Sequence, residues 1–317
     1  MSVIKVEKLT KDYGHNRGIF DVSFEVKDGE VFGFLGPNGA GKTTTIRHIM
    51  GFSRPQIGKT TVKGLDSWTH HYDIQRDVGY LPGEIALPEH LTGSEFINMM
   101  AELRGMADMS YANKMIERFE LEASGGLKRM SLGMKRKLAV VTAFMHDPAI
   151  LVLDEPTSGL DPVMQDVFIQ FVRDEKARGK SILLSSHIFK EIDATCDRIS
   201  IIKDGHLVST FIANEIRHSE RKEWKVEFYS REEFERFLSE EKQTKKLDVV
   251  SVDEEFNQAR VVVNDYDTRK FIAELSNYSL KFFSEIKFTL EDYFMEFYDR
   301  RICHSEKREV GEVIAVS

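Results

Sequence analysis

The chain has 317 residues, 41% hydrophobic and 30% charged, and its 52 acidic against 44 basic side chains leave a net charge of −8. That length suits about two domains, and the composition excludes a disordered, collagenous or disulfide-dense protein. The acidic balance lacks the basic footprint of a nucleic-acid binder, no apolar run reaches the roughly 18–20 residues that span a bilayer, and no signal-peptide pattern opens the sequence. Its two cysteines, Cys196 and Cys303, suit a reducing compartment.

Val31–Leu35 (VFGFL) is a short apolar run that predicts a buried strand. A Gly-rich loop follows, then a helix to Met50, with Gly51 placed to end it. From about Glu84 to His146 there are no strand-like runs. Thr92 with Glu95 forms a capping box before a helix to Arg104, and Ser131–His146 also reads as helical. Ala149–Leu153 and Ser181–Leu184 predict further buried strands. Between them, Asp161 and Pro162 supply an N-cap with proline at the first helical position, and Gly179 stops that helix. Arg198–Lys203 and His206–Phe211 flank Asp204-Gly205, a hairpin signal. The alternation predicts an α/β domain over residues 1–215, with a largely parallel sheet and a helical insertion at about 84–146.

Residues 216–317 hold 16 of the 33 aromatic residues in about a third of the chain, which argues for a folded segment rather than a solvated tail. The charged run Arg217–Lys225 reads equally as a linker or a solvated helix end, and residues 216–225 are taken as the linker. Trp224–Phe228 alternates like a strand, and Ser230 with Glu233 caps a helix over Arg231–Glu240. Asp248–Val252, Ala259–Val263 and Lys281–Phe288 read as extended, and Thr268–Ser276 and Glu291–Asp299 as helical. This order predicts a smaller α+β domain over 226–300 of the split βαβ, ferredoxin-like kind. Residues 301–317 show no period and are expected to be mobile.

Gly36-Pro37-Asn38-Gly39-Ala40-Gly41-Lys42-Thr43 fits the phosphate-loop pattern G-x-x-x-x-G-K-[ST] without mismatch, and Thr44 follows in the helix. The glycines let main-chain N–H groups converge on a phosphate, and the following helix adds its positive end. Lys42 would reach the β- and γ-phosphates, and Thr43 offers a hard oxygen to Mg²⁺. A Gly-rich turn with a surface lysine is the bland alternative, and the strand–loop–helix context weakens it. Asp154 and Glu155 close an apolar strand 112 residues after Lys42. Ligands of open α/β sheets bind outside the carboxyl ends of strands. One carboxylate near Mg²⁺ and one free to take a proton from water are what hydrolysis needs.

With LVLDEPTSGLDP at 151–162 in place, the chain resembles the ATP-binding subunit of an ABC transporter over about Val3–Phe211. The resemblance implies that Tyr13 stacks on adenine, that Glu155 is the catalytic base, that Asp161 lies in the D-loop, and that His187 senses the γ-phosphate. It also implies ATP and Mg²⁺ as cofactors. Two chains would sandwich two nucleotides, each site completed by Ser131 and Gly133 of the opposing signature. The partners it implies are a second ATPase subunit, expected to be a copy of this chain, and an integral membrane permease; no nucleic acid is expected. The site of action would be cytoplasmic, on the inner face of the cell membrane.

Two departures stand out. The family signature LSGGQ reads Met130-Ser131-Leu132-Gly133-Met134, followed by a basic run Lys135-Arg136-Lys137. This variant resembles the subfamily whose permeases are of the ABC-2 export type. Gly83 stands where the family places a glutamine that links Mg²⁺ and the attacking water to the permease contact, and Glu84 is a candidate replacement oxygen ligand. A soluble ABC ATPase uncoupled from transport and a nucleotide-gated regulatory subunit remain the alternatives. The single cassette and the intact Lys42, Asp154, Glu155 and His187 weigh against them.

Overall fold

A computed structural model describes residues 1–217, 221–244, 247–286 and 289–295. It divides into two units, Met1–Ala213 and Asn214–Ser317. The first runs β1 (Ser2–Asp12), β2 (Gly18–Lys27), β3 (Val31–Leu35), α1 (Lys42–Ile49), β4 (Ile57–Val62), β5 (Leu65–Asp66), α2 (His71–Asp77) and β6 (Val78–Leu81). It continues through α3 (Gly93–Leu103), α4 (Ser110–Arg118), α5 (Leu132–Phe144), β7 (Ile150–Asp154) and α6 (Pro162–Ala177). It closes with β8 (Ser181–Ser186), α7 (Phe189–Thr195), β9 (Arg198–Lys203) and β10 (His206–Ile212).

The central sheet has the order β10-β9-β3-β8-β7-β6, parallel except for the terminal β9–β10 hairpin. Every residue of β3, β7 and β8 is buried, as a sheet covered on both faces requires. The hairpin turns at Asp204 (φ 49°) and Gly205 (φ 78°), the paired left-handed geometry of a tight two-residue turn. A second, antiparallel sheet of order β2-β1-β4-β5 comes from the N-terminal region, which the sequence analysis leaves unassigned. Its apolar face joins the main core through Ile4, Val6, Leu9, Val22 and Val26.

The region 84–146 carries α3, α4 and α5. Thr92 opens α3 with a reciprocal capping box: Glu95 N donates to its hydroxyl at 3.2 Å, and Thr92 N donates to Glu95 Oε2 at 2.7 Å. Phe119 and Phe144 from this region meet Phe168 and Phe171 of α6, with ring centroids 4.8–6.4 Å apart. All four rings are fully buried. Cys196 is a buried thiol packed against Gly33.

The second unit follows α8 (Ala213–Arg217), which crosses the boundary. It runs β11 (Arg221–Phe228), α9 (Arg231–Thr244), β12 (Asp248–Asp253), β13 (Gln258–Asn264), α10 (Thr268–Leu275) and β14 (Leu280–Ile286). The sheet order β12-β13-β11-β14, antiparallel throughout, interleaves two βα crossovers and is the split βαβ arrangement. Val226, Phe228, Phe234, Phe237, Val261 and Phe271 form its core.

The expected linker at 216–225 is corrected here. Residues from Arg221 onward belong to β11, which pairs with strands on both sides. Its charged side chains are paired at the sheet surface: Glu223 meets Arg260 of the neighbouring strand and Lys222 meets Asp265 just after it, while Trp224 stacks on Phe283 at 4.6 Å. Residues 218–220, Cys303, the expected helix beyond residue 295 and the expected mobile tail at 301–317 lie outside the described residues.

The aromatic junction sets a stability prediction. Phe171→Ala removes the ring that touches the other three and should cost about 3–5 kcal/mol, measured as a lower midpoint of chemical denaturation followed by far-UV circular dichroism.

Candidate nucleotide site

The loop after β3 curls because its backbone leaves the region open to most residues. Gly39 has φ 81° and Gly41 φ 109°, and a Cβ on Gly41 would stand 2.5 Å from Ile19 Cγ2. Gly41 is also the N-cap of α1, so the loop feeds directly into the positive end of a helix. Gly36 N donates to Ser186 O at 3.3 Å, and Gly205 N to Ala40 O at 3.1 Å, which pins the loop to β8 and to the β9–β10 turn.

A cavity of about 600 Å³ opens in front of this loop. Asn38, Gly39, Gly41, Lys42, Thr43 and Thr44 line it, together with Tyr13 and Glu155. Gly36, Pro37 and Ala40 support the loop from behind. Tyr13 reaches the cavity from the β1–β2 connection, held by a 2.8 Å bond from its N–H to Arg17 O, and its ring is exposed. An exposed aromatic beside a phosphate loop offers a stacking face to a base.

Lys42 is 5% exposed. Its ammonium donates to Gly36 O at 2.6 Å and Pro37 O at 3.1 Å, and it lies 3.0 Å from Glu155 Oε1. His187 Nδ1 donates to the other oxygen, Glu155 Oε2, at 2.6 Å. Glu155 is thus clamped between the lysine and the histidine. It takes φ 46°, in the left-handed region that few non-glycine residues occupy.

Asp154 ends β7 with no exposure. Ser185 Oγ donates to its Oδ1, while Oδ2 is buried without a hydrogen-bond partner. Burial pushes this carboxyl above its ordinary range, against the opposing pull of the Ser185 and Thr43 hydroxyls. An unmatched carboxylate oxygen near the Thr43 hydroxyl is the hard-oxygen set that Mg²⁺ takes, alongside substrate phosphates and water. Among the described residues no group of three or more His, Cys, Asp or Glu side chains is placed to hold a metal ion. Glu84 is exposed and does not line the cavity, so it is not brought into this set.

Ser131 and Asp161 act locally as N-caps. Ser131 Oγ accepts from Met134 N at 3.2 Å, and Asp161 Oδ1 from Met164 N at 3.0 Å. Leu132, at the departing signature position, packs on the turn after β7: a Cβ on Gly159 would stand 2.9 Å from Leu132 Cγ. Gly133 is equally close, its added Cβ being 3.1 Å from Gly159 O. Arg17 and Arg47, which are not among the residues expected from the sequence, also line the cavity. Arg47 had a signal, since it lies four residues after Thr43 on α1 and so shares its face. Arg17 had none, because only the β1–β2 connection brings it near.

The ABC transporter family model matches residues 19–158, and an AAA domain model overlaps it over 127–193. The bacitracin transport ATP-binding protein BcrA of Bacillus licheniformis is 33% identical over 224 residues, 70% of this chain and 73% of that protein. The Nod factor export ATP-binding protein I of Ralstonia nicotianae is 34% identical over 212 residues, 65% of this chain and 66% of that protein. A solved ATP-binding subunit of an ABC transporter superposes with a TM-score of 0.62 at 32% identity, covering 68% of this chain and 92% of that one. A dimeric bacterial ABC transporter cassette shares the fold with a TM-score of 0.60 at 24% identity, covering 66% and 98%.

One buried acid beside the site yields a pH prediction. Glu191 is 2% exposed and accepts from Ser186 Oγ at 2.6 Å, next to His187. Burial pushes its carboxyl up from 4.5 to about 8, with the Ser186 bond opposing. The folded state therefore holds a proton that the unfolded chain releases, so this group's stabilisation is full below about pH 4.5 and is lost as pH rises through about 8. Wild type should lose stability relative to Glu191→Gln between about pH 5 and pH 9, measured by denaturant titration at each pH.

Proposed function

The chain belongs to the ATP-binding subunits of ABC transporters, and from that premise we propose that residues 1–213 bind Mg-ATP at the Gly36–Thr43 loop and hydrolyse it with Glu155. The work would drive a separate membrane permease of the ABC-2 export type. The observation that carries this reading is the contiguous set Lys42–Glu155–His187, of which Lys42 and Glu155 line the cavity.

Lys42 and the loop N–H groups hold the β- and γ-phosphates, and the exposed ring of Tyr13 stacks on the base. Thr43 and Asp154 Oδ2 would hold Mg²⁺, which supplies neutralisation of the phosphate charge. A γ-phosphate arriving on Lys42 competes with Glu155 for that ammonium. Release from Lys42 leaves Glu155 free to orient and deprotonate a water, while His187 keeps contact with the reacting end. Catalysis here is positioning and electrostatics, as phosphoryl transfer requires.

Ser131 and Gly133 do not line this chain's own cavity. In the proposed sandwich they cap the nucleotide of a second copy, so the working unit is a dimer. Among the described residues no helix is long and apolar enough to cross a membrane. Attachment to the inner face of the membrane would then come from the permease. The intact clamp on Glu155 disfavours a purely regulatory subunit despite Leu132 and Gly83.

Lys42→Ala should weaken Mg-ATP binding about tenfold to a hundredfold, the worth of a hydrogen bond to a charged group, by isothermal titration calorimetry. Unchanged affinity would refute the site. Glu155→Gln should keep Mg-ATP affinity while turnover falls about 10²–10⁴-fold. In light scattering that variant should double in mass with Mg-ATP and remain a monomer without it.

A further inference from the structure

Arg136 lies one turn into α5, in a basic run whose neighbours suggest a solvated face. It is instead 3% exposed. Its Nε donates to Ser158 O at 2.9 Å, Nη1 to Pro82 O at 2.9 Å and Nη2 to Gly83 O at 2.7 Å. All three acceptors are main-chain carbonyls. A buried guanidinium is unfavourable unless its donors are met, and this fork meets them by bridging three separate segments of the chain. Asp154, Glu155 and Glu191 supply the surrounding negative charge.

Both of the segments tied to α5 touch the carboxylates of the site. Ser158 N donates to Glu155 O at 3.2 Å, so the turn that Arg136 holds is closed on Glu155 itself. Gly83 abuts the other carboxylate: a Cβ there would stand 3.1 Å from Asp154 Oδ2. A side chain at position 83 would crowd Asp154 Oδ2 by a few tenths of an ångström. The Gly83 backbone thus stands directly against the carboxylate, and the guanidinium ties it there through its carbonyl.

We propose that Arg136 is a positioning residue that locks the backbone at Pro82–Gly83 and at Ser158 against Asp154 and Glu155. It supplies through main-chain carbonyls the link that the missing glutamine side chain supplies in the family pattern. Movement of α5 with the helical insertion then reaches Glu155 directly. This rests on the ATPase reading above and adds the residue through which that site is coupled.

The test uses the full chain as wild type, Arg136→Met, Arg136→Lys and Arg198→Met. Arg198 is a control: its guanidinium also donates to a main-chain carbonyl, that of Glu25, at the opposite end of the sheet. Mg-ADP affinity, steady-state kcat and KM for ATP, and Tm are measured for each. Arg136→Met should keep Mg-ADP affinity within about twofold while kcat falls at least about tenfold, the scale of a lost transition-state hydrogen bond. Arg136→Lys should recover part of that kcat. Arg198→Met should lower Tm with kcat within about twofold of wild type.

The proposal is overturned if kcat in Arg136→Met falls no further than in Arg198→Met. It is equally overturned if Mg-ADP affinity falls in step with kcat, or if lysine rescues nothing. Should Arg136→Met not fold, Arg136→Gln is read on the same quantities against the same control. A wild-type protein that binds Mg-ADP but turns over no ATP refutes the ATPase reading itself, which separates that failure from this one.

Discussion

The Lys42 ammonium is the point on which the site is built. A buried cation has to be matched, and here the acceptors come from two places, the curled loop carbonyls of Gly36 and Pro37 and the carboxylate of Glu155. The loop can offer those carbonyls only because Gly41 accepts a conformation and a closeness to Ile19 that a Cβ forbids. Glu155 can offer its carboxylate only because it directly follows a strand that is fully buried and two places away from β3 in a parallel sheet. Parallel strands bring their carboxyl ends to one edge, so the fold and the match to one charge are the same constraint.

That match also sets the resting state. The carboxylate proposed to activate water neutralises the lysine proposed to hold phosphate, and His187 secures its second oxygen. Each group is held in register by its counterpart before substrate arrives. In the proposed reaction, phosphate and Glu155 compete for the Lys42 ammonium. Around this centre lie supports that never touch substrate: Ser185 on Asp154, Glu191 under Ser186, and Arg136 across two loops.

What was legible in the sequence was local. The phosphate loop, the Asp154–Glu155 strand end, the Thr92–Glu95 capping box and the Asp204-Gly205 turn each depend on neighbours a few residues away. The β-α-β-β-α-β order of the second unit was legible for the same reason. The N-terminal sheet was not, because register shifts between Val6 and Leu9 and between Leu9 and Lys11 break the alternation that marks a strand. The start of β11 was mistaken for a linker because its charges are satisfied across strands, by Arg260 and Asp265, which lie some 40 residues away. Arg136 stands in the basic run after the signature with no local mark of burial, and only the tertiary fold brings the three carbonyls that accept from it.

Leu132 and Gly159 carry a further consequence. Residue 132 belongs to the surface that would face the opposing nucleotide, and residue 159 to the turn behind the same chain's Glu155. They fill each other's space so closely that the size of one dictates the size of the other. With leucine at 132, position 159 has no room for a side chain. The surface that would face the opposing nucleotide is thereby packed directly on the turn behind Glu155, and a shift of one displaces the other.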